Sequence, residues 1–228
     1  MNATELMPEL ANYVTSTSGD ITFAVIGFGK MGILHASILN MLKPDCVTAV
    51  VDKSRLLTFG ASRLIKNVKF YRQIDEMLEI ENPKAVYVTT PTQSHYRITS
   101  MLLDANVGHI FLEKPPTANF GELSSLINKV NRHQNVMVGF QKRYALPFRH
   151  AKRLLSEGAI GDTEAVFGYT KSSDIMTHTK RFDSIGKGVL LDLGVHLIDL
   201  LEWIFGVDKV ESSSCKSIFT GVDDWFEA

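Results

Sequence analysis

Cysteine is scarce in this chain. Its two residues, Cys46 and Cys215, lie far apart, which excludes a disulfide framework or a cysteine-rich zinc knuckle and makes free thiols in a reducing cytoplasm the expected state. Long apolar runs are lacking too. No stretch reaches the roughly eighteen apolar residues of a membrane span, and the N-terminal segment carries Glu5 and Glu9 without the basic start and apolar centre of a secretory leader. Neither sign of charge dominates. With 24 Lys and Arg against 25 Asp and Glu, and no basic run beyond pairs such as Lys180-Arg181, the electrostatic footprint of a nucleic-acid binder is missing. No internal repeat or low-complexity tract is present. What remains is an ordinary globular composition: 228 residues, 45% hydrophobic and 21% charged, enough for one large or two modest domains. Small-molecule chemistry in the cytoplasm is the class left standing, with neither nucleic acid nor membrane as partner.

Residues 21–52 carry the densest signal. Ile21 to Ile26 reads as a strand, Gly27-Phe28-Gly29-Lys30-Met31-Gly32 as a G-x-G-x-x-G turn, and Val47 to Val51 as a second strand closed by Asp52. In such a unit Gly27 permits the tight turn, Gly29 lets backbone approach a pyrophosphate, and Gly32 permits close packing of helix on strand. The amides of the following helix N-terminus then face the anion. Asp52, about twenty residues past Gly32, is placed to accept hydrogen bonds from an adenosine ribose. Glycine patterns arise in loops by chance, so context decides. Met31, Leu34, Ile38 and Met41 recur at helical spacing straight after the turn, giving strand, turn, helix and strand in the required order.

The alternation continues downstream. Ala85 to Thr90 reads as a strand stopped by Pro91, Ser94 to Ala105 as a helix, His109 to Glu113 as a strand, Phe120 to His133 as a helix, and Val136 to Phe140 as a strand. Polar residues gather at the strand ends: Asp52, Thr89, Thr90, Glu113, Lys114 and Gln141. Open parallel sheets bind ligands beyond the carboxyl ends of their strands, so these positions are expected along one crevice. Loops are polar anyway; it is the coincidence at successive strand ends that carries weight.

The pattern changes after Phe140. We place a dinucleotide-binding domain over 21–141, an N-terminal extension over 1–20, and a second domain over 142–228. In the latter, Pro147 to Glu157 reads as a basic helix ended by Gly158, Thr163 to Thr170 as a strand, Ser172 to Lys187 as a polar loop, and Gly188 to Phe205 as a helix. Lys209 to Phe219 and Asp223 to Glu227 look strand-like. Within Gly188–Phe205, Asp192, His196 and Asp199 fall at i, i+4 and i+7 and share a helix face. A helix histidine is most often a satisfied core or capping residue. Here it titrates where a proton is moved at neutral pH, and Asp192 one turn earlier can orient it or hold a substrate hydroxyl. No second cluster has metal-ligand spacing, so no metal is expected.

These residues resemble the Gfo/Idh/MocA oxidoreductases, which include glucose-fructose oxidoreductase and inositol dehydrogenase. The resemblance runs over about residues 21–228. It is carried by Gly27 to Gly32, Thr90-Pro91-Thr-Gln-Ser-His95, Glu113-Lys114-Pro115, Gly139-Phe-Gln-Lys-Arg143-Tyr, and Gly188 through Asp199, the third and last being the specific ones. It implies an α/β protein with an N-terminal NAD(P)-binding Rossmann domain and a second α+β domain on an open, mostly antiparallel sheet. It further implies NAD(P)-dependent hydride transfer to or from a sugar, polyol or related alcohol. Matched residue by residue, Lys114, Asp192 and His196 are the catalytic trio, and Arg143 joins them around substrate. The cofactor set is Gly27, Phe28, Gly29, Lys30, Met31, Gly32, Asp52, Thr89, Thr90, Pro91, His95, Glu113, Lys114 and Gln141. Asp52 repels a 2′-phosphate, which favours NAD, although Lys53, Ser54 and Arg55 could hold one, so NADP stays open.

Two departures matter. Gly186-Lys187-Gly188 stands where many members have three glycines, so substrate preference does not transfer. The chain also stops at Ala228 where members usually continue, which suggests C-terminal truncation, an incomplete second sheet and little turnover beside a foldable first half; a homo-oligomer is the expectation for a full-length form. The rival reading is a non-catalytic NAD(P)-binding regulator or sensor on the same fold. Lys114, Asp192 and His196 argue against it, since binding alone needs none of them.

Overall fold

The computed structural model describes residues 21–55, 65, 67–171, 188–207, 209–217 and 225–228. The extension over 1–20 and the loop over 172–187 lie outside the described residues. The chain forms two compact units, Met1–Val138 and Gly139–Ala228.

The first unit is built on a sheet whose central strands read as near-continuous apolar runs, the mark of a parallel sheet buried on both faces. Its strands are β1 (Phe23–Ile26), β2 (Val47–Val51), β3 (Lys69–Tyr71), β4 (Ala85–Val88), β5 (His109–Leu112) and β6 (Asn135–Val138). Helices connect them: α1 (Lys30–Leu42), α2 (Ile74–Glu81), α3 (His95–Asp104, after a 3-10 turn at Thr92–Ser94) and α4 (Phe120–Lys129). Every described pairing in this sheet is parallel, in the order β3-β2-β1-β4-β5-β6. That order makes β1 and β4 neighbours and places the topological switch point, where an open sheet offers a crevice, between their carboxyl ends.

Alternation of side chains sorts the core into two layers. Ala24, Ile26, Val86, Val88, Ile110 and Leu112 pack with Met77 of α2, Ile98 and Leu102 of α3, and Leu126 of α4. Val25, Val47 and Val50 pack with Phe28 and Ala36 on the α1 side. Val47 and Val50 share that layer because Phe23 pairs with Val47 and Ala24 with Ala49, so β2 carries one extra residue there.

Several boundaries differ from those expected. The helix between β5 and β6, α4, ends at Lys129 rather than His133, because the Asn131 side chain accepts from the His133 amide and turns the chain away. Strand β3 and helix α2 were not anticipated, although Ile74, Met77 and Leu78 carry a short helical period. In the second unit, α5 spans Leu146–Ser156 and ends before Gly158, whose φ of +67° suits glycine. The strand expected over Thr163–Thr170 does not form: the segment is irregular, and Phe167 and Tyr169 are exposed. Alternating side chains make a strand only where another edge supplies hydrogen bonds, and no described strand pairs with this one. The helix expected over Gly188–Phe205 is interrupted by a π-helical turn at Leu190–Gly194 before α6 (Val195–Phe205). The strand expected over Lys209–Phe219 narrows to β7 (Ser214–Lys216) among the described residues, and it pairs antiparallel with β8 (Trp225–Glu227); residues 218–224 lie outside the described residues.

At the β3 edge, Tyr71 donates its hydroxyl to Glu81 at the end of α2, and Lys69 Nζ reaches the same carboxylate at 2.9 Å. Burial first, and then the Glu81 acceptor, push the Tyr71 phenol up to about 12. Burial alone would raise the Glu81 carboxyl, but the bonds from Tyr71 and Lys69 outweigh it and hold it below the usual range. A depressed carboxyl stabilises the fold above its unfolded pKa and loses that contribution as pH falls; a raised phenol stabilises it below about pH 10 and loses it as pH climbs toward 12. In urea unfolding, the stability gap between wild type and Tyr71→Phe should therefore be widest between about pH 5 and pH 10 and narrow on either side. A gap independent of pH would remove this pair from the account.

Candidate functional site

The loop from β1 to α1 is shaped by contacts that only glycine permits. Gly27 has a φ of +91°, and a Cβ there would lie 2.7 Å from Thr90 Cγ2 and 2.9 Å from the Thr90 nitrogen. At Gly32 a Cβ would fall 2.0 Å from the Gly27 carbonyl oxygen, so the first turn of α1 can seat against the loop only without a side chain. Gly29 is the opposite case. A Cβ there would meet nothing within 4 Å, which leaves backbone open in front of the helix N-terminus. The first turn of α1 carries no acidic residue and no side-chain cap, so its amides remain suited to an anion. A pyrophosphate fits that concavity.

Asp52, just past β2, has both carboxylate oxygens engaged: Oδ2 accepts from the Phe28 amide at 2.7 Å and Oδ1 from the Ser54 amide at 2.8 Å. The carboxylate thus holds the glycine loop to the end of β2. About four lone-pair positions exist on a carboxylate, so acceptor capacity for ribose hydroxyls is left over. Phe28 is not itself toward the crevice; its ring is buried and meets Phe70 edge to face. Lys30 and Met31 are exposed in the first turn of α1.

Across the switch point, polar groups expected to face a ligand mostly hold one another. Thr89 Oγ1 donates to the Gly27 carbonyl at 2.6 Å. Ser94 Oγ lies 2.8 Å from Thr90 Oγ1 and 2.7 Å from the exposed Pro91 carbonyl. His95, expected against the cofactor, is 1% exposed and instead bridges two backbone carbonyls, Thr90 O to Nε2 and Pro115 O to Nδ1, each at 2.8 Å. Burial lowers its pKa, and the two carbonyls and Glu113 pull less strongly the other way. The ring thus stands between the loop after β4 and the loop after β5. Glu113, also buried, accepts from His35 Nε2 at 2.7 Å and from the Lys114 amide at 3.1 Å. Lys114 is half-buried between these two anchors.

In the second unit, the π-helical turn carries Asp192, half-buried, while His196 in the first turn of α6 is buried. The wider π turn rotates Asp192 relative to the face that uniform helical spacing predicts for it. Asp199 pairs within its own unit. Its buried carboxylate receives Arg143 in a forked pair, Nε at 2.9 and 3.0 Å and Nη2 at 2.5 Å. That bond, more than the partial burial opposing it, raises the guanidinium pKa, and Glu202 stands 3.6 Å away. Arg143, expected at substrate, is a tie between the 3-10 turn Gln141–Tyr144 and α6. Gln141, expected at the cofactor, is exposed and belongs to this second unit. Among the described residues no three His, Cys, Asp or Glu cluster as a metal site, and no helix is long and apolar enough to cross a membrane.

Comparison with known proteins agrees with the first-unit geometry. Residues 21–140 match the oxidoreductase family with the NAD-binding Rossmann fold, and residues 148–228 match the GFO/IDH/MocA C-terminal domain. The myo-inositol 2-dehydrogenase of Thermotoga maritima is 25% identical over 188 residues, covering 82% of this chain and 55% of that protein. The scyllo-inositol 2-dehydrogenase (NADP(+)) of Bacillus subtilis is 26% identical over 201 residues, covering 85% and 54%. Among solved structures, myo-inositol 2-dehydrogenase from Lactobacillus plantarum superposes with a TM-score of 0.74 at 26% identity, over 82% of this chain and 56% of that one. The chain spans about half the length of the curated relatives it matches. By the match over both segments, the chain belongs to the Gfo/Idh/MocA oxidoreductase family, with an NAD-binding Rossmann fold at its N-terminal end.

Proposed function

We propose that this protein binds a nicotinamide dinucleotide and takes part in hydride transfer to or from a secondary alcohol of a cyclic polyol or sugar. The observation that carries this reading is the bare backbone at Gly29, in front of an uncapped helix N-terminus and beside Asp52. The loop Gly27–Gly32 would hold the pyrophosphate and Asp52 the adenosine ribose, with Thr89 and His95 supporting the loops rather than touching the ligand. The substrate class rests on relatives named as inositol dehydrogenases.

When bound, the nicotinamide supplies a hydride acceptor or donor for the carbinol carbon. The chain's own residues then manage protons and charge. We assign His196 the hydroxyl proton: its imidazole takes it as the alcohol is oxidised and returns it in reduction. Lys114 offers an ammonium to the developing alkoxide, and Asp192 orients the imidazole or a neighbouring hydroxyl. These roles follow the motif match.

Gly29→Ala has room and should keep stability within about 1 kcal/mol while weakening NADH binding, because a methyl group then stands where the phosphate approaches. Gly32→Ala should instead cost about 1–3 kcal/mol or more in urea unfolding, since the Gly27 carbonyl is backbone and cannot step aside. Equal behaviour of the two variants in both assays would refute this division of roles.

Asp52 sets the cofactor preference. Fluorescence titration should find NADH tighter than NADPH, and Asp52→Ala should shrink the difference; a tighter NADPH complex in wild type reverses the assignment. A screen of inositols and sugars tests the reaction itself. On the best substrate, His196→Ala should lower turnover by roughly 10² to 10⁴ with NADH affinity little changed, and wild-type turnover in that variant removes His196 from the chemistry.

A further inference from the structure

Lys114 has no rigid element of its own, lying just beyond β5, so something must hold it. The Glu113 side chain folds back so that Oε2 accepts from the Lys114 amide at 3.1 Å. Its other oxygen, Oε1, lies 2.7 Å from Nε2 of His35, on α1 one turn past Gly32. A carboxylate in this state only accepts, so Nε2 carries the proton and the tautomer follows. The His35 ring is itself seated on aromatic neighbours, 4.8 Å from Phe111 and 5.5 Å from Tyr87, and those two rings stack at 4.7 Å. The Glu113 side chain is only 12% exposed, so losing a donor leaves a poorly solvated carboxylate seeking another.

We infer that His35 is a positioning residue for Lys114, acting through Glu113 and thereby linking the helix that faces the pyrophosphate to the lysine loop. The aromatic platform fixes the imidazole, the imidazole fixes the carboxylate, and the carboxylate fixes the Lys114 backbone. His35 is short, ring-bound and one helical turn from the glycine that seats α1, and the Glu113 side chain is held at both of its oxygens. This inference rests on the assignment of Lys114 to the reaction for its functional meaning, but its structural content can be read without cofactor or substrate.

The test separates the two properties of the imidazole. His35→Phe keeps a ring on the Tyr87–Phe111 platform and removes the donor; His35→Gln removes the ring and keeps a donor. Amide hydrogen exchange by NMR on the full chain without cofactor should show the Lys114 amide exchanging about tenfold faster in His35→Phe, with the amides of Val25 and Val50 unchanged, and at a rate between wild type and His35→Phe in His35→Gln, whose donor is not seated on the rings. Glu113→Ala should reach the same level as His35→Phe, and the double variant should go no further. Unchanged Lys114 exchange in His35→Phe, acceleration spread equally to Val25 and Val50, or exchange in His35→Gln as fast as in His35→Phe each overturns the inference. With cofactor and an identified polyol, His35→Phe should lower kcat about tenfold while leaving NADH affinity within about twofold. A wild-type chain without turnover would count against the dehydrogenase reading alone, since the exchange result decides the positioning role independently.

Discussion

The close approach of α1 to the end of β1 is the contact on which the first unit depends. Gly32 lies so near the Gly27 carbonyl that no side chain fits between them, and a Cβ at Gly27 would come within 2.9 Å of the Thr90 nitrogen. Helix, glycine loop and the end of β4 therefore meet backbone to backbone at the switch point. Once they do, the N-terminus of α1 is aimed across the strand ends, and the open surface at Gly29 leaves room for an anion to come close to main-chain amides.

The polar groups around this junction work mainly on each other. Asp52 grips the Phe28 amide, Thr89 the Gly27 carbonyl, His95 two loop carbonyls, and Glu113 both His35 and the Lys114 amide. Each is a hydrogen bond of modest net worth, about 1 kcal/mol, but each is buried or half-buried, so breaking one strands a partner at greater cost. A crevice built this way is organised before any ligand arrives. Pre-organisation of that kind lowers the ordering cost of binding.

The second unit shows the same economy in a different form. Arg143 and Asp199 form a forked pair that would be worth little as an exposed ion pair but is worth more with the carboxylate buried, where losing Arg143 leaves the Asp199 charge in a poor solvent. That pair ties the 3-10 turn at Gln141–Tyr144 to α6. The π turn ahead of α6 changes the facing of Asp192 relative to His196, a device that recurs where helices carry function.

The glycine loop, the placement of Asp52 and the strands and helices of the first unit other than β3 and α2 were legible from residues alone, because each depends on local rules: apolar period, turn chemistry and spacing within a single β-α-β unit. So was family membership, through motifs such as Glu113-Lys114-Pro115. Partnerships were not legible. That Arg143 closes on Asp199, that His95 is walled in by carbonyls, and that His35 reaches Glu113 all join residues distant in sequence, and no local pattern encodes which of several polar groups will meet once the layers pack. The missing strand at Thr163–Thr170 has the same origin: alternation is a property of the sequence, but a strand exists only when tertiary structure brings a second edge to its hydrogen-bonding groups.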